Sequence, residues 1–264
     1  MSQHIVIFVS LLALSSLLTI VHGFAPTSTK STSTTTAFIA HGERYSSSCL
    51  YAAGDGDAEK KKPSLFESEA WKPIQADLDR VPVFTVATKE GNPLAYTIEI
   101  TGKGEFNVPC FYCDVDAALS ELKGARDNSD LEDLDIIPFP LGRAFQLWSN
   151  DEAVIVPSKQ SIQQAGAPPG TNPIGQQVPL FACMEIAEEQ EDGTPRLPVF
   201  LRLEDANAAL KEAVEADGGS EDDFEVACLS LSGVVAQLAT IPESPAFHFI
   251  PPSTSMKYIQ EYLS

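Results

Sequence analysis

The chain is 264 residues long, 44% hydrophobic and 20% charged, with 16 Gly and 19 Pro. This composition excludes collagen-like, disordered and polytopic membrane proteins and leaves material for a buried core. Asp and Glu number 37 against 17 Lys and Arg, a formal charge of −20, and residues 63–264 alone carry −21. So acidic a body is repelled by phosphate backbones, which argues against nucleic acid and for partners rich in Lys and Arg.

Residues 5–21 are apolar apart from Ser10, Ser15, Ser16 and Thr19. Seventeen residues are short for a bilayer span of about 20 and suit the core of a signal peptide over residues 1–23. Val21-His22-Gly23 permits cleavage after Gly23, although the usual basic start is missing. Residues 24–48 then hold twelve Ser/Thr and one acid, Glu43. That is the composition of an organelle transit peptide, here taken as a disordered segment 24–62. The junction Gly23-Phe24-Ala25-Pro26 resembles the bipartite presequences of algae with secondary plastids, in which such a Phe directs cargo through the inner membranes. The mature chain is expected to begin near residues 50–65.

The remaining body, 63–264, reads as two lobes, 75–165 and 177–264, joined by a linker at 166–176 within the Pro- and Gly-rich stretch AGAPPGTNPIGQ. The same signals occur on both sides of it. Val81-Pro82-Val83-Phe84 matches Val178-Pro179-Leu180-Phe181, and Val108-Pro109-Cys110-Phe111 matches Leu197-Pro198-Val199-Phe200. From Asp114 to Leu147 a constant offset of 91 gives ten identities in 34 positions. Each lobe is predicted to run strand, strand, helix, strand, helix, strand, helix, an α/β (α+β) class with mixed sheets. Leu94–Thr101 alternates as an edge strand does. Asp114 and Asp205 are placed to cap helices whose apolar faces are Val115, Ala118, Leu119 and Leu122, and Ala206, Ala209, Leu210 and Ala213. The closing helix carries Met256, Ile259, Tyr262 and Leu263.

These segments, with Pro140-Leu141-Gly142-Arg143-Ala144-Phe145 and Phe249-Ile250-Pro251-Pro252, resemble the small soluble subunit of the translocon at the inner chloroplast envelope, the twenty-two-kilodalton family. The resemblance covers about residues 75–264. It implies a body of two pseudo-repeated lobes related by a pseudo-two-fold axis, with apolar grooves. It also implies a non-enzymatic, chaperone-like import factor in the envelope intermembrane space of a multi-membrane plastid, without cofactor or metal. Its partners would be preproteins, their transit peptides and membrane-embedded translocon subunits, with peripheral membrane association. The insertion spanning Leu94–Thr101 and Gly102–Asn107 departs from the simplest repeat.

The sharpest chemical signal is Cys110-Phe-Tyr-Cys113 ahead of a helix, the layout of a thioredoxin-like thiol–disulfide site. Against that alternative, Cys110 lies in a core strand and the second lobe has no counterpart. Cys183 and Cys228 read as reduced core residues and Cys49 falls in the transit segment. His248 is the body's only histidine, expected on the solvent side of its strand, and no second ligand lies at metal spacing. A structural docking protein is the third functional class. Phe145 and Trp148 are the candidate client-binding residues. At offset 91 they face Ala236 and Ala239, so the shared architecture does not demand their bulk. They either fill the interface between the lobes or line an exposed apolar groove.

Overall fold

The computed structural model describes residues 5–7, 38–40, 65–100, 104–128, 131, 133–189, 195–217, 220, 224–240 and 247–263. The expected cleavage point at Gly23, Phe24 and Cys49 lie outside the described residues. Two short strands are described ahead of residue 65, Ile5–Ile7 (β1) and Phe38–Ala40 (β2). The chain forms two compact units, one of Pro26–Lys159 with Pro168–Gln176, and one of Met1–Ala25, Gln160–Ala167 and Gln177–Ser264.

In the first unit, a short 3-10 turn at Leu65–Glu67 leads into helix α1 (Trp71–Leu78). There follow β3 (Pro82–Thr88), β4 (Ala95–Ile100), β5 (Gly104–Tyr112), α2 (Val115–Asn128), β6 (Leu134–Pro140), α3 (Leu141–Ser149) and β7 (Val154–Val156). The sheet order is β2-β4-β5-β3-β6, with β7 joining β5 in parallel. β3 is buried almost throughout, as an apolar strand between neighbours must be, and its Pro82 sits at the strand start, where a missing N–H costs least. Asp114 caps α2 as expected, its Oδ1 accepting from the N–H groups of Asp116 at 2.8 Å and Ala117 at 3.3 Å. Val115, Ala118 and Leu122 turn inward.

The chain then forms α4 (Lys159–Gln164), β8 (Pro179–Cys183), β9 (Ile186–Glu189), β10 (Pro195–Phe200), α5 (Leu203–Asp217), β11 (Val226–Ser230), α6 (Leu231–Thr240), β12 (Phe247–Ile250) and α7 (Ser253–Leu263). The second sheet runs β1-β9-β10-β8-β11, with β12 parallel to β10. Strand for strand, β8 to β12 repeat the order and pairing of β3 to β7. Phe84 pairs with Tyr112 in one, Phe181 with Phe200 in the other.

Hydrogen bonds correct the repeat in three places. The N–H of Ala118 bonds to the Asp114 carbonyl, and that of Ala206 to the Arg202 carbonyl, each at 3.2 Å. Arg202, not Asp205, therefore stands at the position of Asp114, and α5 begins a turn earlier than the offset of 91 implies. Asp205 caps a different helix: its carboxylate accepts from the N–H of Ser253 at 3.1 Å and its hydroxyl at 2.6 Å, where α7 starts. Arg202 reinforces this start by donating to Thr254 Oγ1 at 2.9 Å.

The second correction concerns α3 and α6. Leu141 N–H bonds to the Val81 carbonyl at 3.0 Å and Leu231 N–H to the Val178 carbonyl at 2.9 Å, so these two residues are equivalent. Counting along the helices, Phe145 matches Val235 and Trp148 matches Leu238, rather than Ala236 and Ala239. Both lobes bury the first of these positions, Phe145 at 3% and Val235 at 1% exposure.

The third concerns the boundary. Residues 160–167 pack with the second lobe, rather than with the first as 75–165 supposes. The Ser161 hydroxyl donates to the Leu201 carbonyl at 2.9 Å, and the amides of Gln160 and Gln164 both donate to Glu204 Oε1 at 2.6 Å. Ile162 is fully buried there. Residues 168–176 group with the first lobe.

Candidate functional site

Both candidate client-binding residues lie on α3, in an aromatic cluster closed by α1. Trp71 stacks on Phe145 with centroids 6.0 Å apart, Phe145 lies 5.4 Å from Trp148, and Phe66 meets the edge of Trp71 at 4.9 Å. Phe145 is buried; Trp148, one turn on, is half-buried at the margin. Sequence reasoning missed α1, although Trp71, Ile74 and Leu78 recur at i, i+3, i+7 and are all buried.

What fixes α1 in place is its C-terminal end. Asp79 Oδ1 accepts from the Arg143 N–H at 3.2 Å, so a carboxylate sits on the positive start of α3. Gly142 makes that approach possible. A Cβ there would lie 2.6 Å from Asp79 Oδ1 and 2.9 Å from the Gln75 carbonyl oxygen.

The cysteine pair is elsewhere in the same lobe and is buried. Cys110 and Cys113 are free thiols at 1% and 4% exposure. Cys110 sits in β5 opposite Val154, a core position, and burial with nearby Glu121 pushes its thiol up to about 12. Burial, with Asp114 adding to it, also pushes Cys113 up. A redox nucleophile needs the opposite shift, towards a thiolate at neutral pH. Cys183 and Cys228 are likewise free, each raised by burial to about 11.

The thiols give a checkable pH dependence. Unfolded Cys110 loses its proton near 9.0 while the folded thiol keeps it to about 12, so the folded state binds more protons in between. Its stabilising contribution is complete below about pH 9 and is lost as pH rises towards 12, at up to about 1.4 kcal/mol per pH unit. Urea midpoints measured from pH 8 to 11 should therefore fall. A Cys110→Ala, Cys113→Ala variant should show a shallower fall, at a cost of about 1–2 kcal/mol at neutral pH. An equally steep fall in the variant would locate the alkaline sensitivity elsewhere.

His248 departs from expectation. It is not a solvent-side residue: its side chain keeps 18% exposure and Nδ1 lies 2.6 Å from Glu188 Oε2, a carboxylate with 8% side-chain exposure. Arg196 lies directly opposite Glu188 across β9 and β10, on the same face. Strand alternation was read correctly, but the acid across the sheet was not foreseeable locally. Among the described residues, no group of three or more His, Cys, Asp or Glu could hold a metal ion.

Comparison with known proteins agrees with this architecture. No curated protein matches the chain. Solved structures share the fold, among them the following two. Anabaena Tic22, described with protein transport, is 19% identical, covers 72% of this chain and 96% of its own, and superposes with a TM-score of 0.55. Tic22 from Plasmodium falciparum is 20% identical, covers 73% and 98%, and gives 0.59. The Tic22-like family model matches residues 22–262, nearly the whole sequence, and the chain belongs to that family.

Proposed function

We propose that this chain is a plastid protein import factor that holds preproteins in a chaperone-like manner as they pass between the envelope membranes. The match to the Tic22-like family over residues 22–262 carries the reading. A fold neighbour described with protein transport supports it. The partners are preproteins with their transit peptides, and membrane-embedded translocon subunits that receive them. Among the described residues no helix is long and apolar enough to cross a membrane, which is compatible with peripheral association. A transport factor needs no catalytic group, and the buried Cys110 and Cys113 thiols are poorly suited to the redox alternative.

Charge and apolar surface have separate tasks in this reading. A body of −21 attracts basic, acid-poor targeting segments. Such attraction chiefly raises the association rate and is screened beyond about 8–10 Å at physiological salt. Exposed ion pairs contribute only about 0–1 kcal/mol each, so retention falls to apolar contacts, at roughly 25 cal/mol per Å² buried. Trp148, half-buried beside the Trp71–Phe145 stack, is the residue placed to make them.

Stopped-flow binding of an unfolded import precursor tests this. Rising salt should slow capture strongly and leave the off-rate nearly unchanged, whereas Trp148→Ala should raise the off-rate. Salt that speeds release as much as it slows capture would remove apolar retention from the account.

A further inference from the structure

The two sheets end differently. In the first, β6 is the outer strand, paired to β3 from Pro82↔Pro140 to Thr88↔Leu134. Proline has no N–H to give, so Pro138 and Pro140 occupy the positions that face away from β3, together with Ile136 and Leu134. Four outward groups on that edge are absent or occupied, beginning with the N–H groups that Pro138 and Pro140 lack. The Ile136 N–H donates to Asp135 Oδ1 at 2.8 Å, and the Leu134 carbonyl accepts from Arg126 Nη2. Together these features disfavour a further strand on this edge.

β11 is the corresponding outer strand of the second sheet, and it lacks these devices. Its register runs from Val226↔Cys183 to Ser230↔Pro179. Pro179 cannot donate, so its pair is not a hydrogen-bonded one. By alternation the ladder bonds run through Leu229 and Ala227, while Val226 and Cys228 aim their N–H and C=O groups outward. Cys228 stands opposite Phe181 as Pro138 stands opposite Phe84. Among the described residues no strand lies beyond β11, and no backbone bond reaches these groups. Val226 and Cys228 are half-buried and pack their side chains on the Phe181, Phe200 and Ala206 cluster. The exposed Glu225 immediately precedes this apolar strip, and α5, which packs against β11, exposes Glu212 and Glu215.

We propose that the β11 edge takes up an extended, acid-poor segment of a client polypeptide as an added strand, hydrogen-bonded to Val226 and Cys228. This rests on the import-factor reading above and specifies how part of a client is held. Backbone bonds of this kind are indifferent to side-chain identity, as a binder of many preproteins requires, and alternate apolar residues would meet the strip. The acids beside the edge select a basic or hydroxyl-rich segment. They disfavour a second copy of this chain, which brings the same −20.

The probe is an acid-free twelve-residue peptide alternating Val with Thr, with Lys at both ends, titrated into the full chain by fluorescence anisotropy. Replacing its Lys with Glu should weaken binding at least tenfold. N-methylation of the peptide at alternate residues should abolish binding in one phase and spare it in the other, because only one set of N–H groups faces β11. Cys228→Pro, which copies Pro138 on the edge of the first sheet without removing a bond to β8, should weaken binding at least tenfold with thermal unfolding unchanged. If that variant fails to fold, the N-methyl series on the unaltered protein still decides. Binding insensitive to N-methylation, or absent while an unfolded precursor is still bound, overturns the added strand and leaves the import reading intact. Absence of both overturns the two together. A dimer in sedimentation that peptide does not displace would assign the edge to a second copy and overturn the proposal.

Discussion

Phe145→Ala is expected to destabilise the first lobe by about 3–5 kcal/mol, the range for emptying a buried phenylalanine site. Phe145 is 3% exposed and lies between Trp71 and Trp148, so its removal leaves α1 without its central contact. Cavity collapse would require α1 to shift, and Asp79 and Gln75 hold it tightly against Gly142 and Arg143. Trp148→Ala, at the margin, should cost only about 1 kcal/mol. The chain has two tryptophans, Trp71 and Trp148, and both are in this cluster. Tryptophan fluorescence during urea unfolding therefore reads this region alone. Equal losses for the two variants would mean that the cluster is not organised around Phe145.

The second large effect lies in the other lobe. His248→Phe should destabilise it by about 2–3 kcal/mol, because it leaves the Glu188 carboxylate buried without its nearest partner. Breaking a fully buried pair costs about 3–5 kcal/mol; the 18% exposure of His248 and the presence of Arg196 across the strand lower the figure. Adding Glu188→Leu should restore most of the loss, since replacing both partners removes the stranded charge. A double-mutant cycle measured by urea unfolding checks this. Additive losses would show that the two side chains do not depend on each other.

Much of the architecture was legible because it is written in short-range patterns. The apolar spacing of α2 and α5 identified their buried faces, and the V-P-x-F segments identified β3 and β8. Cys110 could be placed in the core because it occupies a strand, which separates it from a redox motif despite the C-x-x-C spacing. Apart from α1, the missed features are long-range. Asp205 looks like a cap for its own helix, yet serves Ser253, 48 residues away. His248 finds Glu188 at a separation of 60, and Asp79 finds Arg143 at 64. Helix α4 follows the first lobe in sequence, but Ser161 bonds to Leu201 in the second. No periodicity encodes such choices. At the candidate site, Phe145 and Trp148 were named for bulk that the repeat does not demand, and the structure sets their rings 5.4 Å apart on α3; their cover, α1, went unread although its apolar spacing is local.

On the proposed function, precursors in transit contact this chain directly. Placing a photo-reactive residue at Trp148 and irradiating intact plastids during synchronised import measures that. Adducts with the precursor should form early and disappear as import is completed. Adducts with membrane subunits alone, at every stage of import, would contradict direct contact and make the chain a docking component.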